Sequence, residues 1–206
     1  MAENTYLKRA YQLCDQLQTK QLYSEWAESY DETMADFDYQ TPRRCVEALQ
    51  RYCTSPLVTI LDVGCGSGIS GQALHDGGFS VIDGSDISAE MLDLAANRPA
   101  VYQSLKLVSL DNPFDFEKGA YDVITAMGVI ADKHAPPAAI AELLSKLEVG
   151  GLLIFSLNNH TLENPAYLQA CSELCAQGLA EIAEQEEGPH ITALKMTSKV
   201  MVMKKL

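Results

Sequence analysis

Residues 60–74, ILDVGCGSGISGQAL, constrain this chain more than any other stretch: an apolar run ends in Asp62, a glycine-dense turn follows, and a helix-starting pattern comes next. Glycines let a backbone turn sharply at a strand end and approach a ligand without Cβ interference. The unpaired N–H groups at the start of the next helix then face the same space. A second apolar run, in VIDGSDISAEML, ends in Asp86, and an acid at the end of the following strand can accept hydrogen bonds from two ribose hydroxyls. Together the two runs outline a nucleoside-cofactor site.

Gly66, Gly68 and Gly71 formally satisfy the GxGxxG pattern of dinucleotide enzymes. The context argues otherwise, because in that fold the first glycine follows an apolar strand end, whereas here Asp62 and Gly64 already occupy the turn. A carboxylate at Asp62 would also repel a pyrophosphate, most strongly where water is scarce. It suits a cationic ligand. The order strand, Asp, Val, Gly, Cys, Gly, Ser, Gly resembles the first motif of class I S-adenosylmethionine (SAM) methyltransferases, whose cofactor carries an ammonium and a sulfonium.

Elsewhere the pattern alternates. Helices are expected at 4–18, 20–36 and 42–53, the last with Thr41 as its cap and Pro42 at its first position. Strands are expected at 57–63, 80–85, 105–109, 121–126 and 150–157, with helices at 68–77, 88–97 and 137–147 between several of them. The tail reads as a helix near 163–177 and strands near 179–186 and 197–204, joined by the turn-prone EEGPH. The expected fold is therefore α/β: a doubly wound, mostly parallel, seven-stranded Rossmann-like sheet. With 206 residues and no Pro/Gly/Ser-rich linker, one domain spanning 1–206 is the simplest count, with a helical lid over 1–40 and the core over 41–206.

The resemblance extends through YSEWAESYDETM, YQTPRRCVEAL, DGSDIS, AYDVITAMGVI and LEVGGLLIFSLN. Over nearly its whole length the chain looks like the small methyltransferase-like proteins that include the Williams-Beuren-region member, and like related bacterial predicted methyltransferases. It implies backbone contacts to the methionyl part of SAM from Gly64, Cys65, Gly66 and Gly68, with Asp62 nearby. It further implies ribose binding by Asp86, adenine contacts from Ile87 and Met91, and Met127 and Gly128 close to the sulfonium. The carboxylate that often caps the adenine amine aligns with Ser109, leaving Asp111 or the Leu110 backbone to replace it. Tyr23, Trp26 and Tyr30 recur at helical spacing, which by itself describes a packing face. Their segment also resembles an N-terminal lid whose aromatic rings close over SAM, and ring faces attract a sulfonium.

Methyl transfer from a sulfonium asks the protein to align the acceptor, exclude water and, for some acceptors, remove a proton. A base would lie beyond strands four and five, where Asp132, His134, Asn158 and His160 stand. His134 aligns with a histidine common in the relatives, so His134 and Asp132 are the expected catalytic pair. His75 and His190 have weaker claims. DNPF at 111–114 looks like the signature of amino-group methyltransferases, but it precedes the fourth strand and reads as a turn.

The formal net charge of −13 and the lack of a basic stripe argue against nucleic acid. No apolar run is long enough to span a bilayer and no signal core is visible, so the expected location is cytoplasmic. Six cysteines without paired spacing imply reduced thiols, and Cys171 with Cys175 cannot make a closed zinc site, so no metal is expected. The reading is a SAM-dependent methyltransferase acting on a small-molecule O, N or S acceptor and releasing S-adenosylhomocysteine. Alternatives are a SAM-binding module without turnover, a protein or RNA acceptor, and more distantly a nicotinamide enzyme. The acceptor and the oligomeric state are not encoded in any short spacing.

Overall fold

A computed structural model describes residue 6 and residues 16–131 and 134–206 of the chain. Most of the helix expected at 4–18 lies outside these residues, as does Asp132. Helix α1 (Gln16–Asp36) leads into α2 (Thr41–Tyr52), and the alternation then runs β1 (Thr59–Val63), α3 (Ile69–Asp76), β2 (Val81–Asp86), α4 (Ala89–Ala96) and β3 (Ser104–Leu107). The second half is β4 (Val123–Ala126), α5 (Ala138–Ser145), β5 (Leu152–Asn158), α6 (Asn159–Leu162), α7 (Ala166–Ala176), β6 (Ala180–Pro189) and β7 (Thr197–Lys205).

The seven strands form one sheet in the order β3-β2-β1-β4-β5-β7-β6. All pairs from β3 to β5 are parallel, and β7 runs antiparallel between β5 and β6. Strand order reverses direction between β1 and β4, and a crevice opens outside the carboxyl ends of strands at such a point. The period of two sends alternate side chains of β1 to opposite faces. Ile60 joins the core under α2 and α3 with Val46, Leu49 and Leu74. Leu61 and Val63 join the core under α5 and α7 with Ile140, Leu143 and Tyr167. Asp62, sharing the Ile60 face, is thereby carried beneath α3. The tail helix expected near 163–177 is α7, which begins after Pro165, and the short α6 ahead of it, capped by Asn158 Oδ1 at the Thr161 N–H (2.8 Å), is an addition to the expected elements.

Thr41 does not cap α2, correcting the sequence expectation. Gln40 occupies the cap position without a side-chain bond. The Thr41 hydroxyl instead shares hydrogen bonds with His190 Nδ1 (2.8 Å) and Ser198 Oγ (3.0 Å) in the interior. Arg44, also buried, donates to the Glu186, Pro189 and Ser198 carbonyls and to Ser198 Oγ at 2.9–3.1 Å. A Cβ on Gly188 would stand 2.7 Å from the guanidinium carbon. A buried charge is tolerable only when hydrogen-bonded in this way, and the turn of the β6–β7 hairpin is built around it. Removing it leaves several carbonyls without their donor. Arg44→Ala should therefore lower unfolding stability by roughly 3 kcal/mol, measured by urea denaturation, whereas the exposed Arg43→Ala should change it by less than about 0.5 kcal/mol.

Candidate active site

A cavity of about 310 Å³ lies at the carboxyl ends of β1, β2 and β4. Its floor is the turn after β1, where Gly64, at φ +63°, sits against Val129 so closely that a Cβ would approach that side chain to 2.4 Å. Asp86, at the end of β2, accepts hydrogen bonds from the Gly66 N–H (2.8 Å) and the Ser88 N–H (2.9 Å), one on each oxygen. Each carboxylate oxygen keeps acceptor capacity beyond these. Ser88 in turn caps α4, its hydroxyl accepting from Met91 N–H.

Helix α1 roofs the cavity. Ser24 Oγ donates to Glu90 Oε2 (2.7 Å) at the start of α4. Asp31 accepts from Ser67 Oγ in the glycine turn and pairs with Arg98, whose Nε also donates to the Ser67 carbonyl (2.7 Å). Tyr23 Oη lies 3.3 Å from His134 Nε2, the two rings meeting edge-on at 5.8 Å. Removal from water, reinforced by neighbouring phenols and by Asp31 and Asp86, pushes the Tyr30 hydroxyl well above the usual phenol range.

Of the residues expected in the site, Tyr23, Tyr30, Gly64, Cys65, Asp86, Ile87, Met91, Leu110, Met127 and His134 all line this one cavity. Others stand apart. Trp26 is 1% exposed and lies behind the lining, parallel to Tyr23 at 6.0 Å and edge-on to Tyr30 at 4.9 Å, so it backs the rings that face the cavity. Gly66 and Gly68 shape the turn without lining the space. Ser109 is exposed and pairs with Asn112 across a tight turn. Asn158 is spent on its helix cap, and His160 is exposed beside Glu163. His75 is half-exposed next to Asp76, and burial pushes the His190 imidazole down to about 4. Cys45, Cys53, Cys65, Cys171 and Cys175 are free thiols, and the described residues contain no group able to hold a metal ion. No helix among them is long and apolar enough to cross a membrane.

Asp62 departs furthest from expectation. Its carboxylate is wholly buried and accepts from Ser70 Oγ (2.6 Å), Tyr102 Oη (2.9 Å) and Thr125 Oγ1 (2.9 Å), one layer beneath the cavity. Burial pushes its carboxyl up to about 6, against the opposing pull of these three hydroxyls.

Sequence reasoning passed over Tyr39, Ser85, Pro113, Phe114 and Glu142, which also line the cavity. The DNPF turn does reach it, although it precedes β4. Ser85 could not have been found from sequence: its hydroxyl is buried and without a hydrogen-bond partner. That orphan hydroxyl, the Asp86 acceptors and the aromatic rings fit a nucleoside carrying a cation.

A doubly wound sheet with a glycine turn after β1 and an acid ending β2, both facing a crevice at the switch point, is the architecture of a class I SAM-dependent methyltransferase. The chain belongs to the methyltransferase domain family, whose model matches residues 37–192. SAM is accordingly its cofactor. Human methyltransferase-like protein 27 is 32% identical over 167 residues, covering 80% of this chain and 67% of that protein. A ubiquinone biosynthesis O-methyltransferase from Burkholderia vietnamiensis is 32% identical over 124 residues, 58% of this chain but only 52% of that one. A shorter match, 38% over 87 residues and covering 42% of this chain and 30% of the other, is to a probable 18S rRNA (guanine-N(7))-methyltransferase of Dictyostelium discoideum. Among solved structures, magnesium protoporphyrin IX methyltransferase from Synechocystis PCC 6803 with bound SAM shares the fold at a TM-score of 0.70 and 18% identity, over 94% of this chain and 98% of that one.

The Asp62 carboxyl titrates higher in the folded chain than the roughly 3.9 of an unfolded aspartate. The folded state therefore takes up a proton as pH falls through about 6, and the stabilisation this brings is fully present below pH ~4 and lost as pH rises through about 6. Relative to Asp62→Asn, the wild type should gain on the order of 2–3 kcal/mol between pH 7 and pH 4. Urea titrations of both proteins across that range would read it, and a constant difference would contradict the assignment.

Proposed function

We propose that this methyltransferase moves the methyl group of SAM onto a small-molecule oxygen, nitrogen or sulfur by direct in-line displacement inside the cavity under α1. The observation that carries the reading is the cavity: a partly open space of about 310 Å³ under a helix fastened at Glu90, Ser67 and Arg98. Such a site suits an acceptor that enters whole. A nucleic-acid acceptor fits poorly with a formal net charge of −13.

SAM, when bound, supplies an electrophilic methyl group on a sulfonium. The chain's own residues do the rest. Asp86 accepts from the ribose hydroxyls while Gly66 and Ser88 hold it in place. Backbone at Gly64 and Cys65 meets the methionyl end, and Ile87, Met91 and Leu110 give the adenine an apolar slot. Tyr23 and Tyr30, stiffened by Trp26 behind them, present ring faces to the positive charge and keep water out. His134, held by Tyr23 Oη, takes the acceptor proton where one must leave. Helix α1 thus acts as a lid on a single catalytic core.

Calorimetric titration with SAM and S-adenosylhomocysteine should show one-site binding that Asp86→Ala weakens by about 100-fold, the loss expected for two hydrogen bonds to a charged group. Unchanged affinity in that variant would displace the ribose from Asp86. With methyl-labelled SAM and a panel of phenols, amines and thiols, His134→Gln should keep SAM affinity and lower transfer by roughly 100-fold. Label appearing only in added protein or RNA would remove the small-molecule reading, and full activity in His134→Gln would remove the base.

A further inference from the structure

Tyr102, in the segment between α4 and β3, joins β1 to α3 below the cavity without lining it. Its hydroxyl donates to Asp62 Oδ2 (2.9 Å) and accepts from the Gly71 N–H (3.1 Å) in the first turn of α3. Burial beside the Asp62 carboxylate pushes the phenol far above its usual range, so it remains a donor. The side chain crowds glycines on two elements: a Cβ on Gly71 would meet its hydroxyl at 2.1 Å, and one on Gly84 would meet its ring at 3.0 Å, beside Leu105 Cδ2 at 2.7 Å and Cys65 Sγ at 3.0 Å. Gly71 and Gly84 have no left-handed backbone conformation to explain them. At Gly71 the room left for the Tyr102 phenol is what requires glycine, and at Gly84 the ring shares that space with Leu105 and Cys65.

We infer that Tyr102 is a positioning residue of the cofactor site: its ring and hydroxyl fix the backbone of the Gly64–Gly68 turn and the first turn of α3, against which the methionyl end of SAM is held. The inference rests on the placement of SAM proposed above. Asp62 anchors this arrangement to β1 and, through Thr125, to β4. Ser70 shares the same carboxylate and also lines the cavity, as do Cys65, Ser67 and Ile69 around it. Loss of the Tyr102 hydroxyl therefore leaves the α3 entry tied to the Asp62 carboxylate by Ser70 alone, at atoms that face the ligand. The phenol does not line the cavity itself and reaches it from below, through Cys65 and Ser70, which do.

Tyr121 supplies an internal control. Its hydroxyl donates to Asp83 Oδ2 (2.9 Å), an equivalent phenol–carboxylate bond on the same sheet, and it does not line the cavity. The experiment titrates full-length wild type, Tyr102→Phe, Tyr121→Phe and Gly71→Ala with SAM, and follows thermal unfolding of each without ligand. Both phenylalanine variants should melt lower, while only Tyr102→Phe weakens SAM binding, by roughly tenfold. Gly71→Ala approaches the same ring from the other side and should weaken binding with Tyr102 intact, which keeps the test decisive if Tyr102→Phe does not fold. Wild-type affinity in Tyr102→Phe or Gly71→Ala, or an equal loss in Tyr121→Phe, would overturn the positioning role. An Asp86→Ala protein that binds SAM normally would instead undo the placement of the cofactor, leaving the two failures distinguishable.

Discussion

The buried carboxylate of Asp62 is the constraint on which the rest of this molecule depends. It stands at the end of β1, on the α3 face of the sheet, at the point where strand order reverses. Its desolvation is offset by three hydroxyls, each from a different segment: Ser70 on α3, Thr125 on β4 and Tyr102 ahead of β3. A single such group left without partners would cost several kcal/mol. The arrangement thus forces β1, β4, α3 and the Tyr102 segment into one mutual placement, and that placement leaves the crevice above it.

What sits above the crevice is of a different kind. Helix α1 is held by polar ties at its edges, through Ser24 and Asp31, and by a separate small apolar cluster in which Trp26 and Met34 pack with Ile191 and Met196. Exposed polar ties of this type are individually weak. The core below is dense, with fully buried Ile60, Leu74, Ile124 and Phe155. A dense base and a roof with its own small core suit a site where a nucleoside and an acceptor must enter from solvent and react away from it.

The alternation of strands and helices was readable because parallel strands carry long apolar runs punctuated by acids and glycines, and the glycine turn with its Asp86 partner announced the site. Other features were not readable, for specific reasons. Thr41 has the residue type and spacing of a helix cap, yet its hydroxyl is drawn inward by His190 and Ser198, partners nearly 150 or more residues away in sequence. Asp62 was read as facing the ligand because it opens the turn; only the face of β1 decides, and that depends on which neighbours cover it. Tyr102 carries no local signal at all. Its meaning arises from Asp62, Gly71 and Gly84, which the fold alone brings together.

The same point explains the misleading GxGxxG. Gly66 and Gly68 have left-handed backbone angles, φ +54° and +87°, and serve the turn. Gly71 does not; it is glycine because the Tyr102 phenol occupies the space where a side chain would go. In a dinucleotide fold the third glycine lets the helix pack closely on a strand, a different use of the same missing Cβ. Identical spacing therefore arises here from two unrelated constraints, backbone conformation and a neighbouring ring. The residue that separates the readings is the acid four positions ahead of the first glycine: buried and bound to Tyr102, Asp62 makes the third glycine necessary for a reason that has nothing to do with pyrophosphate.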